Sequence, residues 1–110
     1  MSAQQTGLDD FGRFAEPALL ILISLAEGPK HGYAITDDIE AVTGVRHGPG
    51  TLYGALARLE SRGFIEPVES QDRRNPYRLT GLGRKALQTR LAALEAVMKA
   101  GRRRLVANEG

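Results

Sequence analysis

Cysteine and tryptophan are absent from this chain of 110 residues, and its aromatic residues are three phenylalanines and three tyrosines. Without cysteine, the chain has no disulfide framework, no thiol nucleophile and no thiolate metal site. No apolar run reaches the roughly 18 residues that a membrane span requires, because Ser24 interrupts the longest one, at residues 18–26. The first ten residues also lack the basic head and apolar core of a signal peptide. We therefore expect a cytoplasmic protein that does not contact membranes.

Groups that could perform catalysis or hold a metal are also scarce. The two histidines, His31 and His47, are sixteen positions apart and have no cysteine to complete a ligand set. The adjacent carboxylates Asp37 and Asp38 have no recognisable nucleophile or base beside them. The sequence therefore predicts neither an enzyme nor a protein that carries a metal or another cofactor.

The net charge of +2 is distributed unevenly along the chain. Residues 1–42 contain two basic and seven acidic residues, whereas residues 43–110 contain thirteen basic and six acidic ones. Twelve of the basic residues are arginines, which form paired hydrogen bonds to phosphate and to guanine. Two interpretations of this basic half remain open, a nucleic-acid-binding surface and an ordinary solvated surface.

Residues 48–63 predict a helix with two contrasting faces. Three leucines recur at i, i+4 and i+7 and therefore share one apolar face: Leu52, Leu56 and Leu59. The opposite face carries only small residues: Gly50, Gly54, Ala57 and Ser61. A helical glycine costs about 1 kcal/mol relative to alanine, so two outward glycines indicate that a large partner comes close to the backbone. The major groove of DNA is such a partner.

Two helices and a short amphipathic turn precede this segment. In the turn, residues 8–15, the side chains of Leu8, Phe11 and Phe14 fall on one side. A first helix begins at Pro17, the first helical position, where the missing N–H of proline is harmless. A second helix spans residues 32–43 and is expected to bury Ile35, Ile39 and Val42. A short turn then connects it to the 50–62 helix, which is the helix-turn-helix pattern.

A β-hairpin and a long helix follow. Strands are predicted at residues 64–69 and 76–79, and their connecting turn carries Arg73 and Arg74. A hairpin in this position is the wing of a winged helix-turn-helix domain. Thr80 is a suitable N-cap for a terminal helix over residues 81–106.

The terminal helix carries a heptad seam, with residues at steps of four, three, four, three and four: Leu87, Leu91, Leu94, Met98, Gly101 and Leu105. A second copy of the chain is the expected partner for this seam and for Leu20 of the apolar first helix. The sequence thus predicts a mainly α fold with a small β-hairpin. The expected units are an N-terminal arm (1–16), a winged helix-turn-helix domain (17–80) and a dimerisation helix (81–110).

Several segments resemble the PadR family of bacterial transcriptional regulators over residues 17–87. They are Leu-Ala-Glu-Gly-Pro-Lys-His-Gly-Tyr at 25–33, Gly-Pro-Gly-Thr-Leu-Tyr at 48–53, Leu-Ala-Arg-Leu-Glu at 56–60, and Tyr-Arg-Leu-Thr at 77–80 followed by Gly83. The resemblance implies a winged helix-turn-helix dimer that represses promoters and is released by a small ligand or signal. The chain departs from the family in three ways. Position 54, often proline there, is Gly54. The wing tip, often longer and rich in glycine or in arginine and lysine, is the compact segment 71–75. The tryptophan with which some members bind flat aromatic ligands is missing.

Candidate site residues follow from the pattern and the resemblance together. The predicted DNA contacts are Pro49, Gly50, Thr51, Tyr53, Gly54, Arg58, Arg73, Arg74 and Arg78. For Tyr53 the alternative is packing against the second helix, and for Arg58 it is an ion pair with Glu40 or Glu60. An effector would contact Phe11, Phe14 and Met98, whose alternative role is core packing. The expected partners are duplex DNA, a second copy and a small effector. A winged-helix module that binds another protein instead of DNA is the alternative function.

Overall fold

The computed structural model describes residues 7–8, 11–71 and 74–109 and confirms a mainly α fold with a β-hairpin. After a 3-10 turn (Gly12–Phe14), the elements of the described chain are α1 (Ala15–Leu25), α2 (Gly32–Thr43), α3 (Pro49–Ser61), β1 (Ile65–Pro67), β2 (Tyr77–Leu79) and α4 (Gly81–Ala107). In the described residues, no helix is both long enough and apolar enough to span a membrane.

The core lies where α1 crosses α2, α3 and the start of α4. Ala18, Ile21 and Leu22 of α1 are completely buried there. The same core buries the three residues that were predicted to share one side of the N-terminal turn: Leu8, Phe11 and Phe14. The predicted start of α1 at Pro17 is two residues late, because the 3-10 turn runs directly into the helix at Ala15. Pro17 is still within the first turn, where backbone N–H groups have no intrahelical partner.

Helix α2 has the predicted bounds and ends at Gly44, whose φ of 79° is a left-handed conformation that glycine adopts easily. Its buried residues are Ile35, Thr36 and Ile39. The expected burial of Val42 is wrong, since this residue is 66% exposed in the last turn of the helix. Thr36 is buried instead, because its hydroxyl donates to the Gly32 carbonyl oxygen at 3.1 Å and leaves no unpaired donor in the core.

The hairpin forms as predicted but with shorter strands. β1 and β2 pair antiparallel, with Ile65 opposite Leu79 and Pro67 opposite Tyr77. β1 ends at Pro67, and one further hydrogen bond joins the two segments beyond it, from the Val68 N–H to the Pro76 carbonyl oxygen at 2.7 Å. The sequence did not reveal an additional bridge, in which the backbone of Lys30 pairs with Tyr77 through bonds of 3.0 and 2.9 Å. This bridge fixes the hairpin, which we call the wing (residues 65–79), to the segment before α2.

Helix α4 begins at the predicted cap, where the Thr80 hydroxyl accepts a hydrogen bond from the Gly83 N–H at 3.0 Å. Only its first two turns enter the core, through Gly83, Ala86 and Leu87. Leu87 is only 6% exposed within its own protomer, so little of this predicted dimer-interface residue is left for a partner, and its contact across a dimer stays a prediction. Beyond it the seam emerges from the domain, with Leu94 half-buried and three residues more open: Leu91 at 43%, Met98 at 51% and Leu105 at 71% exposure.

Candidate nucleic-acid interface

The first turn of α3 is open to solvent. Gly48 precedes the helix without providing a side-chain cap, and Pro49 occupies the start of the first turn. Pro49, Gly50 and Thr51 are exposed, and a Cβ atom built on Gly50 meets no atom within 4 Å. The predicted leucine face is buried against the core. A ligand can therefore approach the backbone of this turn without displacing a side chain.

Gly54 is not part of the open face. A Cβ atom at this position would lie 2.8 Å from Cε1 of Phe14, so the ring of Phe14 occupies the space beside the Gly54 backbone. The expectation that Gly54 faces open space is wrong, because the residue accommodates a neighbour from the same chain. Its contact with DNA stays a prediction. Gly50, Ala57 and Ser61 remain exposed on that face as predicted.

Arg58 borders the same Phe14 ring. Its guanidinium carbon lies 4.0 Å from the ring centroid, and its Nη1 donates to the Gly54 carbonyl oxygen at 3.1 Å. The alternative ion pair with Glu40 or Glu60 does not form, and Glu40 instead pairs with Arg46 at 2.8 Å. Arg58 is thus an exposed cation whose direction is set by an aromatic ring and a backbone carbonyl.

Tyr53 lies on the other side of α3, toward the wing. It is 47% exposed, and its hydroxyl oxygen would lie 3.0 Å from a Cβ atom at Gly32 of α2. The alternative of packing against the second helix is therefore present, although almost half of the side chain stays accessible. Tyr53 also lines a cleft of about 310 Å³ between α2, α3 and the wing, together with Tyr77. Burial raises the pKa of Tyr77, and the nearby Glu60 and Tyr53 add to this effect.

The wing presents its predicted arginines unequally. Arg74 is exposed and lines the same cleft, whereas Arg73 lies outside the described residues. Arg78 is exposed but already engaged, since its Nε donates to Oε2 of Glu66 across the two strands at 2.7 Å. Among the described wing arginines, Arg74 is therefore the better placed to contact phosphate.

The turn between α2 and α3 and the start of α2 are held by ion pairs that the sequence did not predict. Arg46 donates to Asp37 at 3.0 Å and to Glu40 at 2.8 Å, and these bonds raise the pKa of Arg46. Before α2, Lys30 contacts Asp38 at 3.4 Å. A hydrogen bond with Ser24, together with Lys30, lowers the pKa of Asp38, while partial burial acts in the opposite direction.

The three predicted effector residues are not brought together. Phe11 and Phe14 are 5% and 9% exposed in the core, and the Phe11 ring stacks on Phe64 with centroids 6.3 Å apart. Met98 is exposed more than two turns beyond the last buried residue of α4. Both phenylalanines therefore pack in the core, as the alternative interpretation of them has it, and an effector contact for them stays a prediction. Within the described segments, no group of three potential ligands is arranged to hold a metal ion.

Two arginines outside the predicted set also border α3. The guanidinium carbon of Arg13 lies 5.0 Å from the Phe14 ring centroid, and that of Arg62 lies 5.5 Å from the Phe11 centroid. Arg58 and Arg62 are four residues apart and therefore lie on one side of α3, so the sequence alone could have predicted that they are neighbours. No sequence period connects Arg13 to α3, so only the fold reveals its position.

An open helix-turn-helix with a wing is an arrangement that reads duplex DNA, and comparison with known proteins agrees. Residues 21–89 match the model of the transcriptional regulator PadR-like family. The chain belongs to this family. PadR-like proteins are regulators of transcription, which confirms that the chain is not an enzyme. The resemblance found in the sequence is thereby confirmed.

Individual relatives agree with this assignment. Transcriptional regulator Rv3488 of Mycobacterium tuberculosis is 37% identical over 84 residues, which cover 74% of this chain and 78% of that protein. A PadR family transcription regulator of Clostridium difficile R20291 superimposes with a TM-score of 0.73 at 26% identity, covering 81% of this chain and 97% of that one. An uncharacterized 37.1 kDa protein in transposon TN4556 of Streptomyces fradiae is 50% identical over 76 residues, 69% of this chain. The match spans only 22% of the length of that protein.

Proposed function

We propose that this PadR-like chain is a repressor that binds an inverted-repeat operator as a homodimer. The observation that supports this proposal is the exposed first turn and small-residue face of α3, bordered by the wing on one side and by the 3-10 turn on the other. A protein-binding module would not require a helix whose outward residues are too small to form an apolar contact surface.

In this proposal, the first turn of α3 enters the major groove. Pro49, Gly50 and Thr51 let the backbone come close to the base edges, and Thr51 contacts a phosphate or a base. Arg74 and Arg73 of the wing contact the phosphate backbone, which supplies most of the affinity. Because the outward side chains of α3 are small, part of the specificity comes from the shape and deformability of the DNA.

The homodimer would form along the exposed part of α4. An apolar stripe that the protomer itself leaves largely uncovered is provided by Leu91, Leu94, Met98 and Leu105. Leu20 of α1, also predicted for the interface, is half-buried against the core. Pairing of two such stripes would place two α3 helices in successive major grooves, with half-sites roughly 34 Å apart. The operator is then expected to be an inverted repeat with its half-sites about one helical turn apart.

Release from the operator would depend on the same geometry. A small molecule bound between α4 and α1 of the paired chains would change the separation of the two α3 helices, so that both no longer fit their grooves. Such a ligand shifts the equilibrium only as far as it binds one separation more tightly than the other. Exposed Met98 is the predicted effector residue that remains available for this contact.

A mobility-shift and footprinting experiment on the DNA upstream of the chain's own gene tests the proposal. We expect specific, salt-sensitive retardation and a two-fold symmetric footprint. The variant Arg74→Ala should weaken binding to all sequences and reduce the salt dependence, log Kobs against log salt, by about 0.9 for each lost contact. Absence of retardation at low salt would refute DNA binding and favour the protein-interaction module. Sedimentation of a monomer at all concentrations would refute the homodimer.

A further inference from the structure

Three arginines meet at two phenylalanine rings on the side of α3 that faces away from the wing. We call this group the Arg–Phe cluster; it consists of Arg13, Arg58, Arg62, Phe11 and Phe14. The guanidinium carbons of Arg13 and Arg58 lie 5.0 and 4.0 Å from the centroid of the Phe14 ring. Phe11, Arg58 and Arg62 also line a cavity of about 280 Å³ with two small residues of α3, Ala57 and Ser61.

Gathering like charges is unfavourable unless something stabilises them or an anion joins them. Cation–π contact with the rings supplies part of this stabilisation. Among the described residues, no carboxylate lies within ion-pair distance of Arg13 or Arg58. Both arginines are exposed, and Arg58 retains guanidinium donors besides the Nη1–H that is bonded to the Gly54 carbonyl oxygen. The cluster thus offers guanidinium donors of fixed direction to an anionic oxygen ligand such as phosphate.

If α3 lies in the major groove of DNA, the Arg–Phe cluster lies beside the phosphates that border one side of that groove. At 1.5 Å per residue, Arg58 is about 12 Å along the helix from Gly50, which is comparable to the roughly 12 Å width of the major groove. Ala57, one residue before Arg58, and Ser61, three residues after it, are small, so no bulky side chain projects from the outward face near Arg58. Tyr53 and Glu60 lie on the wing side of α3, in the cleft with Arg74, so the cluster and the wing flank the helix from opposite sides.

We propose that the Arg–Phe cluster is a second phosphate-binding site, in which Arg13 and Arg58 hold a backbone phosphate of the DNA on the side of α3 opposite the wing. This inference rests on the proposed function, since it requires α3 to enter the major groove. Phe14 serves as the platform, and Gly54 makes room for its ring beside the helix backbone. The 3-10 turn therefore contributes to DNA binding, although it precedes the helix-turn-helix.

The test measures the affinity of the full chain for a mixed-sequence DNA duplex between roughly 50 and 200 mM salt. Arg13→Ala is the main variant, because Arg13 is exposed and its loss leaves the core intact. Arg58→Gln is the second. Lys99→Ala is the matched control, since it removes the same charge from an exposed position on α4 where Lys99 pairs only with Glu95 in the described structure. Arg74→Ala reports on the wing separately.

We expect Arg13→Ala and Arg58→Gln each to lower the salt slope by about 0.9 per chain, or about 1.8 for the proposed homodimer. The ratio of wild-type to variant affinity should then fall about 12-fold over this fourfold increase in salt. Lys99→Ala should leave the slope unchanged. If Arg74→Ala lowers the slope while both cluster variants behave like Lys99→Ala, the cluster proposal is overturned and the proposed function stands. If the wild-type chain does not bind the duplex at all, both fail.

The Arg–Phe cluster could bind a free phosphate ion instead of a phosphate of the DNA backbone. Calorimetric titration of the DNA-free chain with inorganic phosphate distinguishes these two ligands. Binding that is lost in Arg13→Ala, combined with an unchanged DNA slope in that variant, would overturn the DNA assignment and make the cluster a small-anion site.

Discussion

Substitution of Gly83 by alanine should destabilise the fold strongly, although alanine is the better helix former. Gly83 is buried in the first turn of α4. A Cβ atom there would lie 2.0 Å from the carbonyl oxygen of Phe64 and 2.8 Å from its carbonyl carbon. Both are backbone atoms, so no side-chain rotation relieves the contact. Either α4 or the chain at Phe64 must move.

The movement is costly because the same few groups fasten α4 to the domain. The Phe64 carbonyl accepts from the Thr80 N–H at 3.1 Å, and the Thr80 hydroxyl donates to the Gly63 carbonyl oxygen at 2.6 Å. Overpacking costs about 1–3 kcal/mol and loss of an N-cap costs about 0.5–2 kcal/mol. Replacing a helical glycine returns about 1 kcal/mol. Together these terms span about 0.5–4 kcal/mol. Because the clash involves backbone atoms, we expect the upper part of that range, a net destabilisation of about 2–4 kcal/mol.

Urea unfolding followed by far-ultraviolet circular dichroism measures this change. Gly101→Ala is the matched control on the same helix, since a Cβ atom at Gly101 meets nothing within 4 Å. This control should be more stable than wild type by up to about 1 kcal/mol. All chains are compared at one concentration, because association would shift the midpoints. A Gly83→Ala chain as stable as wild type would refute the packing of α4 against Phe64.

Three further outcomes are expected. Gly54→Ala should lower the free energy of unfolding by about 1 kcal/mol, because the added methyl group clashes with the Phe14 ring. In a Phe14→Leu background the same substitution should raise the free energy of unfolding by about 1 kcal/mol, because alanine is the better helix former. A double-mutant cycle of unfolding curves measures both changes. The pKa of Asp38 is lowered from 3.8, so its charge stabilises the fold above that pH and stops doing so as the pH falls through the lowered value. In unfolding curves near pH 7, Asp38→Asn should therefore lower the free energy of unfolding by up to about 1 kcal/mol. This difference from wild type should disappear in strong acid. Leu94→Glu should convert the proposed dimer into a monomer in sedimentation, whereas Ala92→Glu, on the opposite side of α4, should not.

The helices could be predicted closely because their signals are local. The helix at residues 32–43 stops at Gly44, which adopts a left-handed conformation. The N-cap at Thr80 marks the start of α4. The buried leucines of α3 follow from spacing alone. Features that depend on distant partners were missed. The bridge from Lys30 to Tyr77 joins segments far apart in the chain, and exposure of Val42 depends on where the neighbouring elements end.

The two glycines of the α3 face illustrate where prediction of the site fails. Spacing places Gly50 and Gly54 on one outward side, and the sequence offers the same explanation for both. In the fold, Gly50 faces open space, whereas Gly54 faces the ring of Phe14. A helical period gives the direction in which a residue points and says nothing about which segment lies there. For the same reason, Arg13 was missed: it reaches α3 only because the 3-10 turn packs Phe14 against Gly54. The surface proposed for DNA therefore combines three segments, namely the 3-10 turn, α3 and the wing, and its charged positions follow from tertiary packing.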